Sequence, residues 1–287
     1  MSKLNLQDVS SAFPNITNIK SLPSGGQKEV FVGEDKNAHT LVIKLLDSVN
    51  STERLHREIE AVRILNFDSI PKILDLGEKD INGEKYNYVI EEYIDGEDLD
   101  TQHKKGIKLS LQEITNCLET ILEICVGAEK EEVNIVHRDI KPANIMLDKH
   151  GKFWLIDFGI ARHLKLVSVT DTNANLGPHS PGYSAPEQFR NMKRDIDIRA
   201  DLFSLGMTMI FLISGKNPFI EGARDQLDIL RRTETMSLPL LTIPGDTQNQ
   251  LATFINILAD KHLSRRPRSA KEALDWLRAI KPTLQYN

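Results

Sequence analysis

Apolar residues gather in short runs through the first third of the chain. Ile16 to Leu22, Val30 to Val32, Thr40 to Leu45, Lys72 to Leu76 and Tyr86 to Tyr93 are such runs. Ser24-Gly25-Gly26, Gly33-Glu34-Asp35 and the polar stretch Asp80 to Glu84 separate them, so each is predicted to be a β-strand. One helix interrupts the series. Asn50-Ser51-Thr52-Glu53 has capping-box spacing, and Leu55, Ile59, Val62 and Leu65 follow at helical intervals. After Asp95-Gly96 the pattern turns helical. Ser110-Leu111-Gln112-Glu113 is a second capping box, opening an amphipathic run toward Glu131. Short strands are expected again at Ile135-Val136, Ile145 to Leu147 and Phe153 to Ile156. The last hundred residues read as mostly helical, broken by Gly215, Pro218, Pro239, Pro244 and Pro267. The fold class is therefore α+β: a small β-rich lobe with one long helix, residues 1–94, and a larger mainly helical lobe, residues 95–287, joined through Tyr93 to Gly96. No internal repeat or low-complexity tract occurs.

Composition narrows the class without naming a chemistry. A chain of 287 residues with 40% hydrophobic and 27% charged residues is that of a globular protein with a sizeable core. A net charge of -5 lacks the basic footprint of a nucleic-acid binder, and Lys104-Lys105 and Arg265-Arg266 read as solvated faces. Cys117 and Cys125 are too few for a disulfide framework or a four-ligand zinc site, and read as small buried apolar residues. The N-terminus opens no signal-peptide run. The most apolar segment, Leu202 to Ile213, is interrupted by Ser204, Gly206 and Thr208 and is too short to span a bilayer. A cytoplasmic protein without a membrane span is expected.

The chemistry concentrates in His137-Arg138-Asp139-Ile140-Lys141-Pro142-Ala143-Asn144. Moving a γ-phosphoryl group needs metal ions against phosphate charge, a cation on the remaining phosphates, and a group that orients the attacking hydroxyl. Asp139 can accept a hydrogen bond from that hydroxyl, Lys141 can stabilise charge on the transferred group, and Asn144 offers an amide oxygen to a hard cation. Eighteen residues past Asp139, Asp157-Phe158-Gly159 follows a strand-like run and supplies a carboxylate ligand for magnesium.

This set resembles the eukaryotic-type serine/threonine protein kinase family, and the resemblance runs from about residue 16 to 280. HRDIKPAN and DFG are followed in order by Ala185-Pro186-Glu187, by Asp201-Leu202-Phe203-Ser204-Leu205-Gly206, and by Arg266-Pro267, whose arginine resembles the one that pairs with the glutamate of the APE segment, here Glu187. Upstream, Val42-Ile43-Lys44 resembles the strand lysine that meets the α- and β-phosphates, and fourteen residues on Glu58 stands where a helix offers that lysine a partner. Glu60 is the competing partner, about 200° around the helix from Glu58. The resemblance implies a bilobal fold, ATP and Mg2+ as cofactors, Asp139, Lys141, Lys44 and Glu58 in catalysis, and Asn144 and Asp157 on the metal. Gly25, Gly26, Val30, Glu91, Glu92, Ile94 and Asp98 would surround the nucleotide, with backbone groups of Glu92 and Ile94 on the adenine edge and Asp98 near the ribose. Ser180-Pro181-Gly182-Tyr183 resembles the T-P-x-Y stretch of serine/threonine-directed members, which makes Ser180 a structural hydroxyl near Asp139. The Ala185 to Gln188 ending and the short length are similar to soluble bacterial members.

Two places depart from the family. Leu22 to Val30 keeps only the middle glycine of the phosphate-covering loop, Gly25, with Pro23 and Lys28 in place of its neighbours. Lys28 either contacts a phosphate or points into solvent. Glu91 occupies the position usually held by an apolar gatekeeper; it pairs with Lys44, accepts from the adenine amino group, or faces outward after a one-residue slip of register. The segment between Asp157 and Glu187 holds Ser168, Thr170, Thr172 and Ser180; phosphate on Thr170 or Thr172 would order it through Arg138, or these are ordinary loop hydroxyls. The expected activity is transfer of the ATP γ-phosphoryl group to serine or threonine of a protein substrate, with autophosphorylation and a regulatory partner. A silent pseudokinase scaffold is the first alternative, and a small-molecule phosphotransferase the second. A P-loop enzyme is disfavoured because no G-x-x-x-x-G-K-S/T run occurs.

Overall fold

The computed structural model describes residues 4–22, 28–47, 62–63, 65, 67–157, 180–192 and 194–286. Gly25, Gly26, Glu58, Ser168, Thr170 and Thr172 lie outside these residues, as does most of the helix expected after Asn50. The chain divides into two compact units, Met1–Asp95 and Gly96–Asn287.

The smaller unit begins with a short helix that periodicity does not reveal, α1 (Leu6–Ala12), capped by Asn5, whose side chain accepts from the Asp8 N–H. Only Val9 of its seven residues is buried, too little to register as a helical pattern. A five-stranded antiparallel sheet follows: β1 (Thr17–Leu22), β2 (Lys28–Glu34), β3 (Thr40–Asp47), β4 (Ile73–Ile81) and β5 (Glu84–Glu92), in the order β1-β2-β3-β5-β4. β4 and β5 run further than the apolar pattern suggests, because their connection is only Asn82-Gly83. Both residues have positive φ, 57° and 81°, as a two-residue hairpin turn with matching twist requires. The ladder therefore stays paired to Ile81 opposite Glu84.

The two faces of this sheet differ in chemistry. Phe31, Leu41, Ile43, Leu45, Tyr86 and Ile90 form an apolar core with Val9 and Phe13, and the Phe13 ring meets Tyr88 edge-on at 5.3 Å. On the opposite face, Lys44 stands across from Val89 and Val42 from Glu91. Lys44, Asn87, Val89 and Glu91 are all buried there. Strand alternation thus sorts one β5 segment into an apolar side and a charged side.

The larger unit opens on β6 (Gly96–Asp98), in a small sheet with β7 (Ile145–Asp148) and β8 (Phe153–Leu155). β6 was expected to be the start of a helical region. Its pairing depends on Gly96, where a Cβ would lie 2.4 Å from the Leu147 carbonyl oxygen. The described α-helices of this unit are α2 (Leu99–Lys104), α3 (Leu111–Ala128), α4 (Pro186–Phe189), α5 (Ile198–Ser214), α6 (Gln226–Thr235), α7 (Gln250–Leu258) and α8 (Ala270–Ile280). Ser110 and Glu113 close the expected capping box on α3. α5 is buried nearly all round, and Gly206 lets it approach the end of α7: a Cβ there would meet the Ala259 nitrogen at 2.7 Å. Cys117 and Cys125 are buried in α3, where desolvation raises both thiols well above their ordinary range and leaves them inert. Ile135-Val136, expected as a strand, is irregular; the backbone beyond it turns to a side chain of α5 instead of a neighbouring strand. Among the described residues no helix is long and apolar enough to cross a membrane.

Candidate active site

The loop from His137 to Asn144 carries no regular ladder, so its backbone groups must find partners elsewhere. Asp201, at the first turn of α5, supplies two. Its carboxylate oxygens accept the N–H groups of His137 and Arg138, each at 2.7 Å. Gln188 of α4 donates from Nε2 to the Arg138 carbonyl oxygen at 2.6 Å. The Arg138 backbone is thus clamped from both sides at φ 67°, a left-handed conformation uncommon for a bulky residue. Asp157 is likewise left-handed, at φ 62°.

His137 ties the loop to the segment that leads from β8 to Asp157. It is fully buried, accepts the Asp139 N–H on Nδ1 at 3.2 Å, and sits with Nε2 3.1 Å from the Ile156 carbonyl oxygen. One nitrogen must accept and the other donate, which a neutral ring with its proton on Nε2 satisfies. The Ile156 N–H donates in turn to the Asn144 carbonyl oxygen at 2.9 Å, so Asp157 is one residue from two anchors in the loop.

Around this frame three expected residues converge. Asp139 is 7% exposed. Its Oδ2 accepts from Lys141 Nζ at 2.9 Å and from Asn144 Nδ2 at 3.1 Å, while Oδ1 accepts the Ser180 hydroxyl. Lys141 Nζ also donates to Ser180 Oγ at 2.9 Å. Asn144 Nδ2 makes a second bond to the Asp139 carbonyl oxygen at 2.8 Å. With the amide nitrogen committed twice, the oxygen is the atom that Asn144 can turn to a cation. Among the described residues no cluster of three His, Cys, Asp or Glu could cage a metal. Asn144 and the half-buried Asp157 suit instead a hard ion that takes one or two protein oxygens and completes its shell with phosphate and water.

Ser180 is further located by its N–H, which donates to Ser184 Oγ at 2.9 Å, and its neighbour Gly182 accepts on its carbonyl oxygen from Asn217 Nδ2 at 3.0 Å. Glu187 and Arg266 form a buried two-pronged ion pair, at 2.6 and 3.1 Å, that fixes α4. Sequence reasoning assigned no role to Asp201 or Gln188, the two residues that hold the loop backbone. The available signal was a carboxylate at the head of an otherwise apolar helix.

The smaller unit holds the other charged constellation. Lys44 Nζ is paired with Glu91 Oε2, both side chains being under a tenth exposed (6% and 8%). Val30 lies opposite Lys44 on β2 and is half-buried. Ile94 is buried, and the Glu92 N–H is taken by the Lys72 carbonyl oxygen at 2.9 Å. Asp98 is engaged as the cap of α2: its two oxygens accept the Thr101 N–H at 2.8 Å and the Thr101 hydroxyl at 2.7 Å.

Burial and charge set the acid response of the loop. Desolvation lowers the His137 pKa from 6.5 to about 4, against the opposing pull of Asp139, the Ile156 carbonyl and Asp157. Desolvation also raises Asp201 to about 7, opposed by the two N–H donors. The depressed histidine contributes stability that is complete above its unfolded value near 6.5 and is lost as pH falls through 4, roughly 3 kcal/mol in all. The raised carboxyl works in the opposite sense, its contribution being lost as pH rises toward 7. The two offset one another in the whole protein, and a difference measurement separates them. The destabilisation caused by His137→Leu, from urea unfolding, is expected to shrink by roughly 3 kcal/mol between pH 6.5 and 4. A pH-independent difference would mean that His137 is not held neutral.

The model of the family described as protein kinase domain matches residues 16–277. The serine/threonine-protein kinase PknA of Mycobacterium tuberculosis is 30% identical over 271 residues, covering 91% of this chain and 60% of PknA. PrkC of Bacillus subtilis, also a serine/threonine-protein kinase, is 33% identical over 207 residues, covering 70% of this chain and 30% of PrkC. The chain thus spans between about a third and three fifths of these relatives. The crystal structure of the Mycobacterium tuberculosis PknI kinase domain shares the fold with a TM-score of 0.65 at 21% identity, covering 93% of this chain and 96% of that one.

Proposed function

Because this chain belongs to the protein kinase family, matched over residues 16–277, we propose that it transfers the γ-phosphoryl group of ATP to serine or threonine hydroxyls of protein substrates. The observation that carries this reading is the arrangement around Asp139: a buried carboxylate whose Oδ1 accepts a hydroxyl, Ser180, while Lys141 donates to both. A substrate hydroxyl presented to the same carboxylate is oriented for attack and can pass its proton to it. Lys141 can follow charge from that hydroxyl to the transferred group. Asn144 and Asp157 would hold Mg2+, which when bound would neutralise phosphate charge. Lys44 would meet the α- and β-phosphates, with Glu58 as a further partner. Gly25, Gly26, Val30, Glu91, Glu92, Ile94 and Asp98 would line the nucleotide, Asp98 doing so while still capping α2. Autophosphorylation at Thr170 or Thr172, a regulatory partner and a cytoplasmic setting belong to the same proposal.

Incubating the purified chain with ATP, Mg2+ and a general protein acceptor tests it. Acid-stable phosphoserine or phosphothreonine is expected on the acceptor, and peptide mapping is expected to find phosphate at Thr170 or Thr172. Asp157→Ala is expected to abolish both signals. Steady ATP binding with no turnover would overturn the reading in favour of a scaffold, and phosphate appearing only on small molecules would overturn the protein-substrate half.

A further inference from the structure

We propose that Glu91 is a positioning residue for Lys44, a carboxylate that the neighbouring strand of the same sheet supplies to hold the ammonium for the nucleotide's phosphates. The inference rests on the phosphotransfer reading above and adds a residue whose type the family pattern does not call for.

The geometry follows from the ladder. Lys44 stands opposite Val89 and Glu91 opposite Val42, so the two charged residues are diagonal neighbours on one face of adjacent antiparallel strands. Such neighbours are within reach when both side chains are long. Here they meet, Nζ on Oε2, with the two side chains 6% and 8% exposed. Neither charge is comfortable alone in that position: an isolated buried ammonium or carboxylate loses its hydration without replacement. Each supplies the other with a counter-charge.

The strand that carries Glu91 makes this a fixed anchor. β5 lies between β3 and β4, and Glu91 itself is paired on both sides, with Val42 and with Ile73. Its backbone cannot shift without disturbing two ladders, and groups mounted on such elements hold position better than groups on loops. An ammonium has three N–H donors. One directed at Glu91 fixes where the nitrogen sits, and the same nitrogen can turn others toward phosphate oxygens. An apolar residue at position 91 would leave the lysine buried beside the phosphates without that restraint.

Steady-state kinetics on Glu91→Gln, Glu91→Met and Glu91→Asp test the role, with Lys44→Met and Lys44→Met/Glu91→Met completing a cycle. Glutamine keeps the shape but trades a charge-assisted bond for a neutral one, so KM for ATP is expected to rise about tenfold, and further in Glu91→Met. KM for the protein acceptor is expected to stay within about twofold, which general loosening of the fold would not spare. Glu91→Asp is expected to retain more activity than Glu91→Gln. In the Lys44→Met background Glu91→Met is expected to add nothing to the loss of ATP affinity. An unchanged KM for ATP in both Glu91→Gln and Glu91→Met would overturn the proposal, and so would an equal effect with and without Lys44.

A second readout does not need activity. Removing the counter-charge lets a buried ammonium give up its proton more readily, so Lys44 is expected to react at least about fivefold faster with a soluble amine reagent in Glu91→Met, read by peptide mass spectrometry. An unchanged labelling rate would overturn the Glu91 proposal. A wild-type chain that transfers no phosphate, beside accelerated Lys44 labelling in Glu91→Met, would leave Glu91 as the holder of Lys44 and overturn the phosphotransfer reading alone.

Discussion

Asp139→Asn is expected to lower kcat/KM for phosphoryl transfer by between about 100- and 10,000-fold while leaving the protein folded. The reason lies in what each carboxylate oxygen does. Oδ2 accepts from Lys141 and Asn144, and Oδ1 accepts from Ser180. An asparagine side chain placed in the same rotamer can keep its oxygen toward Lys141 and Asn144. Its NH2 group then faces the Ser180 hydroxyl, which can rotate from donor to acceptor. No buried polar atom is stranded by the exchange, so thermal unfolding is expected to move little. Two things are lost at once: the negative charge paired with Lys141, and the atom able to receive a proton from the attacking hydroxyl. Lys141 is about a quarter exposed (26%), so water can solvate its unpaired charge and the stability cost stays small. The check is kcat/KM with the general acceptor beside a thermal melt on the same preparation. A loss of less than about tenfold with an unchanged melt would remove Asp139 from the proton path.

This separation of activity from stability explains which parts of the site the sequence made legible. The polar residues proposed for the chemistry sit close together along the chain, from His137 to Asn144, with Asp157 one short hairpin later, so their types and spacing carried the information. The residues that hold them do not. Asp201 accepts from the backbone of residues 63 and 64 positions away, and Gln188 reaches back 50. A sequence displays such partners only as oddities: a carboxylate at the head of an apolar helix, a glutamine behind Ala-Pro-Glu. Lys44 and Glu91 are a middle case. The alternation of the two strands was visible, but pairing, adenine contact and outward exposure all remained compatible with it. Register removes the outward-facing reading and brings Glu91 to Lys44, and register depends on the ladder as a whole.

The elements that escaped the apolar pattern did so for similar reasons. α1 buries one residue on a sheet it reaches only after folding, so its periodicity is slight. β6 has three residues and exists because Gly96 admits the Leu147 carbonyl. β4 outruns its apolar stretch because Asn82-Gly83 closes the hairpin in two residues, and hydrogen bonding carries the polar positions Glu78 to Asp80 along. The Ser110 capping box fared better. Its signal is four residues long, and the physics that produces it is equally local: the reciprocal bonds between Ser110 and Glu113 are both present.

The largest effect on stability is expected at Arg266. Its guanidinium is fully buried and makes more than the pair with Glu187. Nε donates to the Asp260 carbonyl oxygen at 2.7 Å, Nη1 to that of Arg199 at 3.0 Å, and the group lies 4.9 Å from the Phe203 ring centre. Arg266→Leu strands a buried carboxylate and two carbonyl oxygens together. Breaking a buried ion pair from one side costs roughly 3–5 kcal/mol. Glu187→Gln is expected to cost less, since the amide oxygen can still accept from the guanidinium and Arg266 keeps its carbonyl partners. Replacing both, as Glu187→Leu/Arg266→Met, removes the stranded charge. That double variant is therefore expected to be more stable than Arg266→Leu alone, although two of its charged groups are gone. Arg266→Lys is no rescue, because a point charge cannot serve Glu187, Arg199 and Asp260 at once. Urea midpoints for the four variants check the order. If the double variant proves the least stable, the pair is a net stabiliser in its own right, not a charge that each partner merely keeps from being stranded. Activity then discriminates a second time. α4 carries both Glu187 and Gln188, and Gln188 holds the Arg138 carbonyl beside Asp139. A double variant that regains stability without regaining phosphoryl transfer would place the ion pair in the support of the catalytic loop as well as in the core.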